Sequence, residues 1–187
     1  MAEKNTYMRA ERSLADGVVD SERLRLRPFQ MKDAEAFWQM RSSEAVMEYI
    51  PLEVATDRNT IYQEFDEALA AGERFKFFRA VEWKNPPVGQ NGFMIGWVLF
   101  RPTEDGRFVE LGYWFLPDVW GQGLATEASK AMVASHRAHM GVPYEDIFAM
   151  VFVGNDASRN VLEKTGLRLD HIETYEGKPT WFLHWKD

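Results

Sequence analysis

The stretch ELGYWFLPDVWGQGLATEAS, Glu110 to Ser129, decides the fold. It opens as an apolar strand, breaks at Pro117, turns through Gly121 and Gly123, and runs at once into a helix expected from about Leu124 to Met140. Two glycines in such a turn remove side chains, so the backbone N–H groups of Gly121, Gln122, Gly123 and Ala125 can converge on an anion. The helix that follows adds its own unpaired N–H groups and the positive end of its dipole. A nest of this kind holds phosphate oxygens without a lysine.

Three phosphate ligands compete with a fourth reading, a tight strand-to-helix turn in which glycine serves backbone geometry alone. A Walker loop needs G-x-x-x-x-G-K-[ST], and the chain holds no such string. A dinucleotide fingerprint needs a third glycine, and Gly121-Gln122-Gly123-Leu124-Ala125-Thr126 supplies only the first two. The acids about 20 residues on, Glu145 and Asp146, precede the next apolar strand, whereas a ribose-binding acid stands at that strand's far end. The pyrophosphate of coenzyme A is the third reading. On the turn alone, it and the bare turn both stand.

Outward from this stretch the pattern gives a mixed α/β chain. Residues 1–20 read as a polar arm, followed by a single domain over 21–187. ERLRLRPF alternates as a half-buried strand, with Leu24 and Leu26 on one face and Arg23, Arg25 and Arg27 on a solvated one. MKDAEAFWQMR, SSEAVMEYIP and DRNTIYQEFDEALAAGE read as helices, the last stopped at Gly72. FKFFRAVEW, FMIGWVLFRP and FVELGYWFL read as strands joined by KNPPVGQNG and the tight turn TEDGR. DIFAMVFV is a buried strand and NDASRNVLEKTGL a helix capped by Asn155 and stopped by Gly166. RLDHIETY and TWFLHW form a closing hairpin. This order predicts a mixed sheet covered by helices on both faces.

Composition narrows the function. The formal net charge is -7, from 29 acidic and 22 basic side chains. That excludes a general nucleic-acid binder, which needs a basic face, and suits a cationic or amine-bearing partner. The 187 residues hold no cysteine, so disulfides, thiolate nucleophiles and Cys-based zinc sites are excluded. No signal-peptide core and no apolar run long enough for a bilayer is present. The expectation is a soluble, cytoplasmic protein, monomer or homodimer, with no membrane partner and no metal. His136 and His139, one helical turn apart, lack a carboxylate to complete a metal site and read as a charged helix face.

The glycine turn together with NDASRNVLEKTGL resembles the GNAT superfamily of acyl-CoA N-acyltransferases. More narrowly, it resembles the branch of the ribosomal-protein N-terminal acetyltransferases RimJ and RimL. The likeness runs from ERLRLRPFQMKDA to the closing hairpin. The superfamily's loop, Gln/Arg-x-x-Gly-x-Gly/Ala, falls on Trp120-Gly121-Gln122-Gly123-Leu124-Ala125, with Trp120 in place of the polar first residue. The resemblance implies a GNAT fold: a mostly antiparallel twisted sheet in which two parallel strands splay to admit acetyl-CoA. It implies that backbone groups near Phe115 and Leu116 pair with the pantetheine arm, and that Gly121 to Thr126 hold the pyrophosphate. Asn155 would bond pantetheine, cap its helix, or do both. Arg159 and Lys164 could reach the adenosine 3′-phosphate, or stand as solvated helix charges.

The implied activity is transfer of an acetyl group to a primary amine, a protein N-terminus or a small molecule, by direct attack in a ternary complex. A base must take the amine proton. Glu110 is the candidate, in the position where this branch often has Glu before its GYW run; otherwise it is a strand-end carboxylate in water. Strand alternation puts Glu110, Gly112 and Trp114 on one face and Leu111, Tyr113 and Phe115 on the other. The tyrosine many members use as acid falls on Leu162 here. Ser158 is then the candidate partner of the thiolate, or a small residue that lets the ligand pass, with Tyr113 and Tyr175 as backups. Phe37, Trp38, Met47 and Tyr49 are candidates for the acceptor side, or core residues. The missing tyrosine also admits another class, a non-catalytic acyl-CoA-binding sensor.

Overall fold

The computed structural model describes residues 17–72, 75, 77–88, 92–103, 108–140 and 144–185; the side chains of residues 139, 140 and 144 lie outside that description. Most of the polar arm, the tip of TEDGR, part of KNPPVGQNG and the His139 side chain therefore lie outside the described residues. The strands are β1 (Val19–Asp20), β2 (Leu24–Arg27), β3 (Phe78–Trp83), β4 (Met94–Pro102), β5 (Val109–Phe115), β6 (Ile147–Phe152), β7 (Leu167–Tyr175) and β8 (Lys178–Trp185). The helices are α1 (Ala34–Arg41), α2 (Glu44–Met47), α3 (Arg58–Ala71), α4 (Leu124–Met140) and α5 (Asp156–Thr165). Short 3-10 turns cover Met31–Asp33, Pro117–Val119 and Tyr144–Asp146.

The strands form one eight-stranded sheet in the order β1-β2-β3-β4-β5-β6-β8-β7. Neighbours are antiparallel except β5 and β6. Val19 and Asp20 pair with Leu26 and Arg25, so the sheet begins two positions before the expected domain start. One core lies between the sheet and α4 with α5, around Leu24, Val98, Leu111, Leu124, Met132 and Leu162. A second lies between the sheet and α1 with α3, around Phe37, Met40, Phe65, Trp97 and Leu99. The helix faces follow their apolar spacing: Ile61, Phe65 and Ala68 are the buried positions of α3.

The arginine row of β2 is not one solvated face. Arg25 is exposed and pairs with Asp20. Arg27 is buried, and its Nη1 and Nη2 each donate to Asp33 at 2.8 Å while Nε donates to Glu82 at 2.7 Å. The 3-10 turn after Pro28 folds back and covers this position, which strand alternation alone does not reveal. Asp33, fully buried, also accepts the Gln30 N–H at 2.8 Å, so its charge is both paired and hydrogen-bonded. His136 is likewise buried, edge-on to Phe100 at 4.0 Å between ring centres, and is not part of a charged face.

Candidate active site

Among the described residues, β5 and β6 pair only at Val109 with Ile147 and at Glu110 with Phe148. Beyond that point the two strands part, while each keeps its other partner: β5 stays paired with β4 up to Phe115, and β6 with β8 up to Phe152. The parting opens a cleft of about 260 Å³ through the sheet.

The cleft has two sides, set by strand alternation. In the β4–β5 register Arg101 faces Glu110, Leu99 faces Gly112 and Trp97 faces Trp114. These side chains line the cleft on the face covered by α1 and α3, together with Tyr49, Ile50 and Pro51 after α2. Leu111 and Tyr113 line the opposite side, with Asn155, Ser158 and Leu162 of the α5 region. Glu110 therefore stands where the pairing ends. Its Oε2 accepts from Arg101 Nη2 at 2.5 Å, and Arg101 is half exposed.

The glycine turn lies past the open end of β5. Gly121 and Gly123 have φ of 74° and 76°, the left-handed region that favours glycine. The first backbone bond of α4 runs from the Glu127 N–H to the Gly123 carbonyl, 3.0 Å. Among the described residues, no acceptor meets the N–H groups of Gly121 through Thr126. Leu124 is buried, so only its backbone faces the turn, and Ala125 and Thr126 are half-buried. The turn is braced from β2. Arg23 Nη1 donates to the Gln122 carbonyl at 3.2 Å and its Nε to Glu127 Oε2 at 2.6 Å. Burial would raise the Glu127 carboxyl, but the Arg23 N–H, the Ser21 hydroxyl and the Arg23 guanidinium outweigh it and hold it below its ordinary range.

Two neighbours of the turn differ from expectation. The Leu116 N–H donates to the Ile95 carbonyl of β4 at 2.9 Å, and its carbonyl accepts from Val119 at 3.1 Å. The Leu116 N–H is thus spent inside the protein and is not open to the expected backbone rail. Alternation turns the Phe115 N–H away from β4, toward the β6 side. Trp120 donates its indole N–H to the Phe115 carbonyl at 2.8 Å, so this departure from the motif ties the end of β5 to the turn.

The α5 residues are placed as follows. Asn155 Oδ1 caps the helix by accepting the Ser158 N–H at 3.1 Å. Tyr113 donates its hydroxyl to the Ser158 carbonyl at 2.8 Å, and burial pushes the phenol pKa up despite that bond. Arg159 bonds Glu163 at 2.9 Å and lies over Trp181, and neither contact is with the glycine turn. Lys164 is exposed. Phe37 and Met47 are core residues, whereas Tyr49 lines the cleft and donates to the Gly154 carbonyl at 3.2 Å. Tyr175 also lines it, from the end of β7. Among the described residues, no group of three His, Cys, Asp or Glu could hold a metal ion, and no helix is long and apolar enough to cross a membrane.

The sequence reading missed Arg101, Met150, Phe152 and Thr180, which also line the cleft. Arg101 was within reach: a hairpin that sets Thr103 opposite Phe108 also sets Arg101 opposite Glu110.

Comparison with known proteins places this geometry. The acetyltransferase (GNAT) domain family matches residues 23–168. The uncharacterized N-acetyltransferase YoaA of Bacillus subtilis is 26% identical over 156 residues, spanning 83% of this chain and 85% of that protein. A GNAT-family acetyltransferase from Bacillus anthracis superposes with a TM-score of 0.73 at 23% identity, covering 89% of this chain and 96% of that one. Mycobacterium smegmatis RimJ, solved in complex with CoA-disulfide, gives 0.66 at 22% identity, covering 89% and 86%. GNAT acetyltransferases use acetyl-CoA, and the splayed strands and the unpaired N–H groups of the glycine turn fit that cosubstrate. This chain belongs to the GNAT family of N-acetyltransferases.

Proposed function

We propose that the protein moves an acetyl group from acetyl-CoA to a primary amine, on a peptide N-terminus or a small molecule, with Glu110 as the base. The observation that carries this reading is the position of Glu110. It is the last paired residue before β5 and β6 part, on the face opposite Tyr113 and Ser158. The thioester end can enter on the α5 side and the amine on the Glu110 side, with the gap in the sheet between them.

Acetyl-CoA supplies the acetyl group as a thioester. In the reaction the amine nitrogen bonds to the carbonyl carbon, the carbon–sulfur bond breaks, and the electron pair leaves on sulfur. Glu110 receives the amine proton, and CoA leaves as the thiol once that sulfur is protonated. The chain's contribution is to hold the partners: Gly121 to Thr126 offer N–H groups to the pyrophosphate, and Asn155 and the Phe115 N–H border the pantetheine arm. Ser158 lines the cleft on the thiolate side. Arg159 serves the 3′-phosphate only by leaving Glu163 and Trp181, whereas Lys164 is exposed. Arg101 leaves Glu110 when the ammonium arrives; an exposed ion pair is worth roughly 0–1 kcal/mol, so the exchange is cheap.

The test is Glu110→Gln, with acetyl transfer followed across pH. A general base contributes on the order of 10²–10⁴-fold, so kcat should fall by that much near neutrality and recover partly at high pH. The KM for acetyl-CoA should hold. An unchanged rate profile would remove Glu110 as the base.

A further inference from the structure

We infer that the acceptor carries its amine on a compact apolar or aromatic body and brings no second cation into the chamber. This rests on acetyl transfer taking place in the cleft described above.

Three features of the Glu110 side lead there. The first is size. The whole cleft holds about 260 Å³, below the roughly 300–1,000 Å³ of sites that swallow a drug-sized ligand. Part of it must take the thioester arm. Only the amine-bearing end of an acceptor enters, and the remainder stays outside.

The second is charge. Among the described lining residues, the only side chains ionised at neutral pH are Arg101 and Glu110, and they are paired with each other. The chamber is formally neutral. One ammonium can replace Arg101 at Glu110, because the guanidinium is 51% exposed and has water to move into. A second ammonium would find no carboxylate there and would be stripped of water against apolar walls.

The third is the wall itself. Trp97, Leu99, Trp114, Tyr49, Ile50 and Phe152 face the space. Trp97 is buried and packs against Phe78 at 5.1 Å and Trp114 at 4.8 Å between ring centres, so it offers little open ring to a stray cation. The half-buried Trp114, tilted 42° to Trp97, adds an aromatic surface for a hydrocarbon or aromatic group. The acidic net charge of the chain invites polycations at long range, but the chamber offers them one carboxylate, Glu110, and no second among the described lining residues.

The experiment compares phenethylamine, a short peptide beginning with phenylalanine, spermidine and an aminosugar by CoA release, in the wild type and in Trp114→Ala. Phenethylamine or the peptide should exceed spermidine and the aminosugar in kcat/KM by about tenfold or more, the scale of one well-filled apolar contact. The ratio of the first two tells a free amine from a peptide end. Trp114→Ala should lower kcat/KM for the aromatic acceptors by about tenfold more than for spermidine, and an equal loss for all four amines would overturn the inference. Tryptophan fluorescence of the protein titrated with each amine gives a readout independent of turnover, with phenethylamine binding tighter than spermidine. Equal or better turnover of spermidine or the aminosugar would overturn the inference and leave acetyl transfer standing. Acetyl-CoA binding with no turnover of any amine would overturn both.

Discussion

Replacing Arg23 by methionine should weaken coenzyme A binding through the pyrophosphate and through nothing else. The carbonyl of Gln122 and the N–H of Gly123 belong to one trans peptide and point in opposite directions. Arg23 holds that carbonyl at 3.2 Å from the β2 side, so the Gly123 N–H is turned outward, into the nest. Methionine keeps the apolar stem and removes the guanidinium, with its bonds to Gln122 and to Glu127 Oε2. The bond from the Arg23 N–H to Glu127 Oε1, 2.7 Å, is a backbone bond and survives. The guanidinium is 41% exposed, so the loss in folding stability should stay at or below about 1 kcal/mol. The effect on binding should be larger. Freeing one peptide unit that must be ordered again costs about 1–2 kcal/mol, close to a tenfold rise in Kd. Isothermal titration with coenzyme A, and competition by dephospho-CoA and pantetheine, separates the contributions. Coenzyme A and dephospho-CoA should lose affinity equally, and pantetheine, which has no pyrophosphate, should lose none. Lysine at this position should restore part of the loss. A change of less than about twofold for coenzyme A, or an equal loss for pantetheine, would refute this bracing role.

Two further changes test the fold around the site. Asp33→Ala should destabilise the protein by roughly 2–3 kcal/mol in urea unfolding: breaking a buried pair costs about 3–5 kcal/mol, and Glu82 still partners Arg27 at 2.7 Å. Glu127→Gln should lower stability near neutrality. Because the native state holds the Glu127 carboxyl below its ordinary range, that stability is present above the unfolded-state value of about 4.3 and is lost as the pH falls through the lower native value. Unfolding curves of wild type and variant should therefore differ above about pH 5 and converge in acid; a gap that stays constant would show that the carboxylate charge is not what Arg23 and Ser21 hold.

Much of the fold was legible because local signals agreed. Helix α4 spans Leu124 to Met140 as its pattern predicts, and Asn155, Gly166 and Gly72 stand at the helix ends where capping chemistry puts them. What escaped were features made by distant segments. The period of β2 shows which side chains share a face, but not that the turn at Met31–Asp33 returns to bury Arg27. Tyr49 reaches the cleft by bonding Gly154, far along the chain, and no pattern around SSEAVMEYIP encodes that bond. The resemblance implied a rail at both Phe115 and Leu116, and it does not reveal that the Leu116 N–H pairs with Ile95 of β4 while alternation turns that of Phe115 away from β4. Trp120 looked like a loss of a polar contact; its indole bond to Phe115 shows what replaced it.

The tyrosine absent at Leu162 raises the question of whether Tyr113, on the same side of the cleft, takes over as the acid. Leu162 lines the cleft from α5, but its side chain has no proton to give a leaving sulfur. Tyr113 reaches α5 from the strand, but its hydroxyl is already donated to the Ser158 carbonyl at 2.8 Å. A proton held by a carbonyl must give up that bond before it can move, and burial raises the phenol pKa further from that of a thiol, near 8.5. Both effects make it an anchor for the helix that carries Asn155 and Ser158 rather than a proton donor. Tyr113→Phe should then cost about 1 kcal/mol of stability, the net worth of one hydrogen bond, and raise the KM for acetyl-CoA by a few fold as Asn155 and Ser158 loosen. The kcat at saturation and its pH profile should hold. A fall in kcat of about a hundredfold, with KM unchanged, would make Tyr113 the acid and refute the anchoring role.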